Sequence, residues 1–146
     1  MEKTLVFFKP DAIERGIVDD IIDNFIIKEG FVIKSIKPVI VTPDKILEHY
    51  HKNLLNHSKE IYYRVLEYFV NKMILILILE KSNAIKDMRM ILGHSDPSKS
   101  GPHTIRGKYC NDSYDLAESE NRSCKNIMHA SDSIQAFEAE FKIWYS

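Results

Sequence analysis

A run of seven consecutive apolar residues, Met73 to Leu79, lies between Lys72 and Glu80. A helix that crosses a membrane needs about 20 apolar residues, so this run is too short to span a bilayer. Its length and its bounding charges predict a buried strand instead. The chain has 146 residues, of which 45% are hydrophobic, and this is enough for the core of one domain covering residues 1–146.

Short β-rich runs alternate with amphipathic segments along the rest of the chain. In order, the pattern predicts strand, helix, strand, two helices, strand and helix at about 4–8, 17–26, 31–41, 43–52, 58–69, 73–79 and 82–92. A weakly periodic segment follows from Gly93 to about Lys125, then a brief apolar step to His129 and a helix beginning near Ser131 to Ser133. This order predicts an α+β fold of the split βαβ, ferredoxin-like kind, with a four-stranded antiparallel sheet covered by helices.

Charge and cysteine content narrow the classes of partner. With 20 Lys plus Arg against 21 Asp plus Glu, the net charge is −1, so binding to nucleic acid or to a membrane is not expected and any anion site must be local. Cys110 and Cys124 are too few for a four-thiolate zinc site or a disulfide framework, and we expect free thiols. The N-terminal residues lack the pattern of a signal peptide, which favours a cytoplasmic location.

Among the six histidines, His129 stands out by its position. It ends a short apolar segment and directly precedes Ala-Ser-Asp-Ser at a predicted helix start, where backbone N–H groups can face an anion. The local sequence also fits a capped helix with an incidental histidine. His49 and His51 are two apart on a predicted helix and point to different sides, so they do not predict a metal site.

Three cations that are remote in sequence are candidates for a common anion site. Lys9 follows the first predicted strand, Arg89 lies on a predicted helix, and Arg106 lies within Thr-Ile-Arg-Gly. A polyphosphate needs several such donors, and arginine can engage two phosphate oxygens at once. Tyr50 and Tyr62 offer aromatic faces for a base. Each of these residues alone also fits an ordinary solubilising or packing role.

Motifs distributed over most of the chain complete the pattern. They are Lys9-Pro10-Asp11-Ala12, Glu48-His49-Tyr50, Arg89-Met90-Ile91-Leu92-Gly93, Asp96-Pro97, Thr104-Ile105-Arg106-Gly107, Asn126-Ile127-Met128-His129-Ala130-Ser131-Asp132-Ser133, and Glu140 with Ile143-Trp144-Tyr145. In this order the chain resembles the nucleoside diphosphate kinase family from about Lys3 to Tyr145.

The resemblance implies a ping-pong phosphotransferase with His129 as the catalytic nucleophile. Glu140 would orient its imidazole, with the Ser131 hydroxyl beside it. The nucleotide-binding positions carried over from the family are Lys9, Tyr50, Arg89, Ser95, Arg106 and Asn126. The resemblance further implies nucleoside tri- and diphosphates as substrates, Mg²⁺ arriving with the nucleotide rather than in a protein metal site, and a homo-oligomer that is at least a dimer.

The sequence departs from the family pattern at several places: Ala130 replaces a glycine and Ser95 a threonine, and three further departures bear on the geometry of the site. His103 replaces a glycine before Thr-Ile-Arg-Gly, which puts the backbone turn near Arg106 in question if that turn requires positive φ. Ile61 occupies the position of the base-stacking phenylalanine, and Tyr62 is the aromatic alternative one residue later. An insertion within 108–125 holds both cysteines, and it is interpreted as a solvated excursion, with a lid or an assembly contact as the alternative.

Two other functions remain open at this level. A nucleotide-binding regulator of the same fold would explain the departures at Ile61, His103 and the insertion, although the retained His129, Asn126 and Glu140 favour transfer. An RNA-binding module of the same sheet type would need exposed aromatic and basic residues on its strands, and the sequence shows no such signature.

Overall fold

The computed structural model describes residues 1–55 and 57–146. One sheet contains the four strands β1 (Glu2–Phe8), β2 (Val32–Ile40), β3 (Met73–Lys81) and β4 (Met128–Ala130). Their order across the sheet is β2-β3-β1-β4, and every neighbouring pair is antiparallel. The predicted α+β class and its ferredoxin-like, four-stranded antiparallel sheet are therefore confirmed.

Helices fill the connections between the strands. They are α1 (Pro10–Arg15), α2 (Val18–Ile21), α3 (Pro43–His49), α4 (His51–Leu54), α5 (Lys59–Phe69), α6 (Ala84–Leu92), α7 (Ile105–Tyr109), α8 (Tyr114–Ser119) and α9 (Ile134–Trp144). Helix α2 continues as a π-helical segment over Ile22–Ile27, and a 3₁₀ turn covers Pro97–Lys99. Within the described ranges, no helix has both the length and the apolar character needed to cross a bilayer.

The sheet has a separate apolar core on each face. Alternate residues of β1 point to opposite faces, so Phe8 packs in one core with Met88 of α6, and Phe7 packs in the other with Trp144 of α9. Strand β3 contributes to both cores, since Leu77 belongs to the first and Ile76 to the second, and both are fully buried. This two-sided burial explains the continuous apolar run.

Helix boundaries differ from the sequence expectation at three places. The helix predicted from 43 to 52 is divided at Tyr50 into α3 and α4. Helix α6 begins at Ala84 rather than Ser82, because Asn83 adopts the left-handed conformation at φ 56°. The segment from 93 to 125 contains α7 and α8, which are too short to show helical periodicity in the sequence.

Candidate active site

His129 lies at the centre of the short strand β4, directly opposite Phe7 of β1. Its ring packs on Phe7 with 4.9 Å between centroids, and the His49 ring meets it nearly at right angles at 4.4 Å. Its Nε2 atom lies 2.8 Å from Glu140 Oε1, and the same carboxylate oxygen accepts a 2.7 Å hydrogen bond from Ser131 Oγ. The imidazole is therefore held by ring contacts with Phe7 and His49 and by the hydrogen bond of Nε2 with Glu140.

The hydrogen bond to Glu140 determines which imidazole nitrogen is free to react. A carboxylate only accepts, so Nε2 carries the proton and Nδ1 carries the lone pair. Within the described chain, no protein group forms a hydrogen bond with Nδ1. Burial, together with the charges of Lys9, Arg106 and Arg89, lowers the pKa of His129 to about 3. The ring is therefore neutral near pH 7 and has the lone pair that a nucleophile needs.

A strained turn presents His129 to the cleft. Ile127 is fully buried and has φ 65°, which is rare for a β-branched residue. The N–H of Met128 donates to the carbonyl of Asn126 at 2.8 Å across this turn, and the Lys9 N–H donates to the Ile127 carbonyl, also at 2.8 Å. Strain of this kind persists where surrounding contacts fix it, and such positions cluster at functional sites.

Lys9 follows directly after β1 and is buried beside the turn. Its ammonium donates a 2.5 Å hydrogen bond to Asn126 Oδ1, and the Asn126 amide donates to the Ser95 carbonyl at 2.9 Å. Burial and the charge of Arg106 lower the pKa of Lys9 to about 8. Three residues predicted from the sequence as nucleotide-binding are therefore joined in one hydrogen-bonded chain.

Arg106 is buried at the first turn of α7 and forms part of the cleft wall. Its guanidinium donates to the carbonyls of Asn126 (3.1 Å), Gly93 (3.1 Å) and Met128 (2.6 Å). A guanidinium has five N–H donors, so two remain for an anion. Arg106 both braces the turn before His129 and offers charge to the cleft.

Arg89, on α6, differs from Arg106 because it is exposed. It donates a single 3.2 Å hydrogen bond, to the carbonyl of Ala130 next to His129. Most of its donors therefore remain available to a ligand.

These groups surround one cleft of about 790 Å³. Of the residues predicted from the sequence, the structure places eight in the cleft lining: Lys9, Tyr50, Arg89, Ser95, Arg106, Asn126, His129 and Glu140. Ser131 lies behind them, fully buried against Glu140. Ile61 and Tyr62 do not line the cleft; they lie on α5, where Ile61 is half-buried and Tyr62 is 39% exposed.

The cleft is also lined by residues that were not predicted as site residues, among them His49 and Tyr114. His49 packs against His129, and its Nδ1 accepts a 3.1 Å hydrogen bond from the Trp144 indole. The signal for it was its place beside Tyr50 in the Glu48-His49-Tyr50 motif. Tyr114 lies in the insertion, where the sequence offered no signal for a cleft residue.

The structure describes both segments near Arg106 where the sequence departs from the family pattern, namely His103 and the insertion. His103 does not have a positive φ, so the glycine replacement causes no backbone strain there. The insertion forms α8, in which every residue except Ala117 is exposed, and Arg64 of α5 binds Glu118 and Asn121 within it. The geometry of the loop therefore accommodates both departures.

Comparisons with known proteins agree with this geometry. A family model described as nucleoside diphosphate kinase matches residues 2–146. A nucleoside diphosphate kinase of Picrophilus torridus is 35% identical over 146 residues, covering 100% of this chain and 96% of the relative. One of Schizosaccharomyces pombe is 33% identical over 144 residues, covering 99% of this chain and 86% of the relative.

Solved structures agree as well. A transition-state mimic of the Borrelia burgdorferi nucleoside-diphosphate kinase, with bound vanadate and ADP, superposes with a TM-score of 0.92 at 25% identity, covering 99% of this chain and 87% of that one. The NDP kinase of Pyrobaculum aerophilum superposes with a TM-score of 0.86 at 30% identity, covering 99% and 96%. This chain belongs to the nucleoside diphosphate kinase family.

Proposed function

We propose that this protein is a nucleoside diphosphate kinase that transfers the γ-phosphoryl group of a nucleoside triphosphate through a phosphohistidine on His129. The observation that carries the proposal is the state of that imidazole. Nε2 is bound to Glu140 at 2.8 Å while Nδ1 is free of protein partners in the described chain, in a cleft that also contains Lys9, Arg89 and Arg106. The family assignment supports the same reaction.

Each half of the reaction exchanges one bond at phosphorus. The Nδ1 lone pair of His129 attacks the γ-phosphorus, and the bond to the β–γ bridging oxygen breaks with its electron pair, so that the nucleoside diphosphate leaves. A terminal β-phosphate oxygen of a second diphosphate then attacks phosphorus, and the electron pair of the N–P bond returns to Nδ1. No oxidant or reductant is required, and no net proton transfer is needed.

The cations of the cleft would stabilise this transfer electrostatically. Charge spreads over the phosphoryl oxygens in the transition state, and preorganised donors lower the barrier because they need no reorganisation. We assign this role to Lys9, Arg89 and Arg106, with Ser95 and Asn126 fixing the position of Lys9. The negative charge of Glu140 would in turn stabilise the positive charge that develops on the imidazole as it is phosphorylated.

Mg²⁺ is proposed as part of the substrate, bound to the nucleotide phosphates. One group of candidate metal ligands among the described residues is His49, His129 and Glu140, whose ligand atoms lie within 4.8 Å of one another. This set does not fit a resident Mg²⁺, which prefers oxygen ligands. One Glu140 oxygen is also already used by His129 and Ser131.

We propose further that residues 1–146 act as one domain. We also propose that two copies of this domain pair through β2, which lies at the edge of the sheet. Val32, Ile36 and Ile40 recur at every fourth position of this strand and are 51%, 54% and 54% exposed, with the exposed Lys34 and Pro38 between them. An edge strand with exposed apolar side chains is a template for pairing with another strand, and a second copy offers the same surface to a two-fold interface. Size-exclusion chromatography with light scattering should show monomers for Ile36→Lys and dimers for Tyr63→Lys on α5. If both variants are monomeric, or if both are dimeric, this interface is refuted.

The proposed reaction is tested by transfer from ATP to GDP in the wild type and in His129→Gln. The wild type should show parallel lines in double-reciprocal plots at different GDP concentrations, as a covalent intermediate requires. The variant should lose transfer but still bind ADP, since the phosphate-binding cations remain. Wild-type protein that binds ADP without transferring phosphate would support a nucleotide-binding regulator instead.

A further inference from the structure

The two residues that the sequence offered for stacking on a base, Ile61 and Tyr62, do not line the cleft. Tyr50 does line it, but its ring already packs against Phe69 and His49. A nucleoside therefore needs its flat partner from another element.

The insertion supplies such a ring. Tyr114 is the first residue of α8, lines the same cleft as Arg106 and His129, and is 45% exposed. In the described part of the chain, no other aromatic ring packs against it. Its backbone N–H donates a long hydrogen bond, 3.4 Å, to Asp96 Oδ1, one residue from Ser95 in the lining. The ring is therefore free and is attached next to the cationic part of the cleft.

Helix α8 is held against the body of the protein by a buried arginine. Arg64 of α5 is 9% exposed, and its guanidinium donates to both carboxylate oxygens of Glu118, at 2.7 and 3.4 Å. It also donates twice to Asn121 Oδ1, at 2.9 and 2.6 Å. Paired bonds of this kind fix orientation as well as distance. The predicted stacking helix α5 thus holds the helix that carries Tyr114.

The base of the insertion is closed by a second set of contacts. The Asp112 carboxylate accepts from Arg122 at 2.6 and 3.0 Å and from the backbone N–H groups of Ser113 and Lys125 at 2.9 and 2.8 Å. Ser113 Oγ then caps α8 by accepting from the Leu116 N–H at 3.0 Å. These bonds join the two ends of the insertion and fix the start of α8, so Tyr114 is preorganised rather than carried on a loose loop.

We propose that Tyr114 is the nucleoside-binding residue of this cleft, a wall brought by the insertion on which the base of the nucleotide stacks. The proposal rests on the proposed function, because the cations around His129 anchor the phosphates and leave the nucleoside to occupy the remaining cleft. Stacking uses the face that every base has and discriminates little between bases. We therefore expect the site to recognise its substrates by their phosphates and to accept different bases.

The test compares a ligand that has a base with one that lacks it. Dissociation constants for Mg-ADP and for Mg-pyrophosphate are measured in the wild type, Tyr114→Ala and Tyr114→Phe. We expect Tyr114→Ala to weaken ADP binding about tenfold, the loss typical of one stacked base, and to leave pyrophosphate binding unchanged. Tyr114→Phe should bind ADP like the wild type, and so should Leu116→Ala, a matched control on the exposed side of α8.

Three outcomes would overturn the proposal. Equal losses for ADP and pyrophosphate in Tyr114→Ala would place the residue at the phosphates. A loss in Tyr114→Phe as large as in Tyr114→Ala would assign the effect to the hydroxyl group rather than to the ring. Unchanged ADP binding in Tyr114→Ala would remove the residue from the nucleoside site.

Phosphorylation with a donor that has no nucleoside separates this proposal from the proposed function. With phosphoramidate as donor, His129 should be phosphorylated at the same rate in the wild type and in Tyr114→Ala, whereas with ATP at limiting concentration Tyr114→Ala should be slower. A wild type that reacts with neither donor contradicts the proposed function, while the comparison of ADP with pyrophosphate still decides the role of Tyr114.

A double-mutant cycle tests the role assigned to the contact between α5 and α8. Glu118→Ala removes the carboxylate from Arg64 and should weaken ADP binding only while Tyr114 is present, so the double variant should bind ADP like Tyr114→Ala. Additive losses would show that Glu118 acts independently of the ring and would contradict its positioning role.

Discussion

Glu140 Oε1 accepts from both Ser131 Oγ and His129 Nε2, so one buried oxygen fixes the tautomer of the nucleophile. Burial raises the pKa of Glu140, although the nearby His49 and the Ser131 hydrogen bond oppose that rise. The motifs predicted the residues of this set, because each belongs to a short segment with a recognisable order. They did not predict His49 as their neighbour, since its contact with His129 joins α3 to β4.

Glu140→Gln tests the orienting role at the residue scale. The amide oxygen can still accept a hydrogen bond, but the negative charge opposite the phosphorylated imidazole is lost. We expect kcat to fall by about 10²-fold or more, with little change in KM, because the phosphate-binding cations are unaltered. Glu138→Gln, at an exposed position of the same helix, is the control; an unchanged kcat in Glu140→Gln would refute the orienting role.

Helix α7 shows how an element of five residues positions a charge. Thr104 caps it, because its Oγ1 accepts a 3.0 Å hydrogen bond from the Gly107 N–H. Arg106, two residues after Thr104, donates hydrogen bonds to three backbone carbonyls. The Thr-Ile-Arg-Gly motif predicted this segment, but the sequence did not predict α8 or its contact with Arg64. That contact joins residues 54 positions apart, and a six-residue helix has too few turns to show a period.

Two glycines near α7 give a matched prediction at the element scale. A Cβ at Gly107 would lie 1.9 Å from the Gly101 carbonyl oxygen, whereas a Cβ at Gly101 would have its nearest neighbour at 3.8 Å. Gly107→Ala should therefore lower the free energy of unfolding by about 1–3 kcal/mol and weaken ADP binding, because Arg106 moves with the helix. Urea unfolding and ADP titration of both variants check this; equal behaviour of Gly101→Ala and Gly107→Ala would contradict it.

The molecule as a whole places titratable groups between the sheet and its covering helices. The alternation of strands and helices predicted the sheet, since each β-rich run is distinct from its neighbours. The three-residue β4 could not be delimited from sequence, because pairing with β1 defines it. The same packing buries His49 and His129, and burial lowers the pKa of both below the ordinary 6.5.

Acid stability follows from these two pKa values. Below about pH 6.5 the unfolded chain binds protons that the folded protein excludes, so the free energy of unfolding falls as pH falls, by up to about 1.4 kcal/mol per pH unit for each such histidine. His129→Gln removes one of these histidines. Between about pH 7 and about pH 5.5, its free energy of unfolding should therefore fall by about 1.4 kcal/mol less than that of the wild type. Urea unfolding at both pH values measures the difference, and parallel losses in the two proteins would contradict the buried neutral state of His129.

The central claim is that phosphate passes through His129, and intact mass spectrometry tests it most directly. Wild type and His129→Gln are incubated briefly with Mg-ATP, measured, and then treated with GDP. We expect one acid-labile phosphoryl group on the wild type alone and its discharge by GDP into GTP. Absence of the adduct from wild type that still binds nucleotide, or an equal adduct on His129→Gln, would contradict the account.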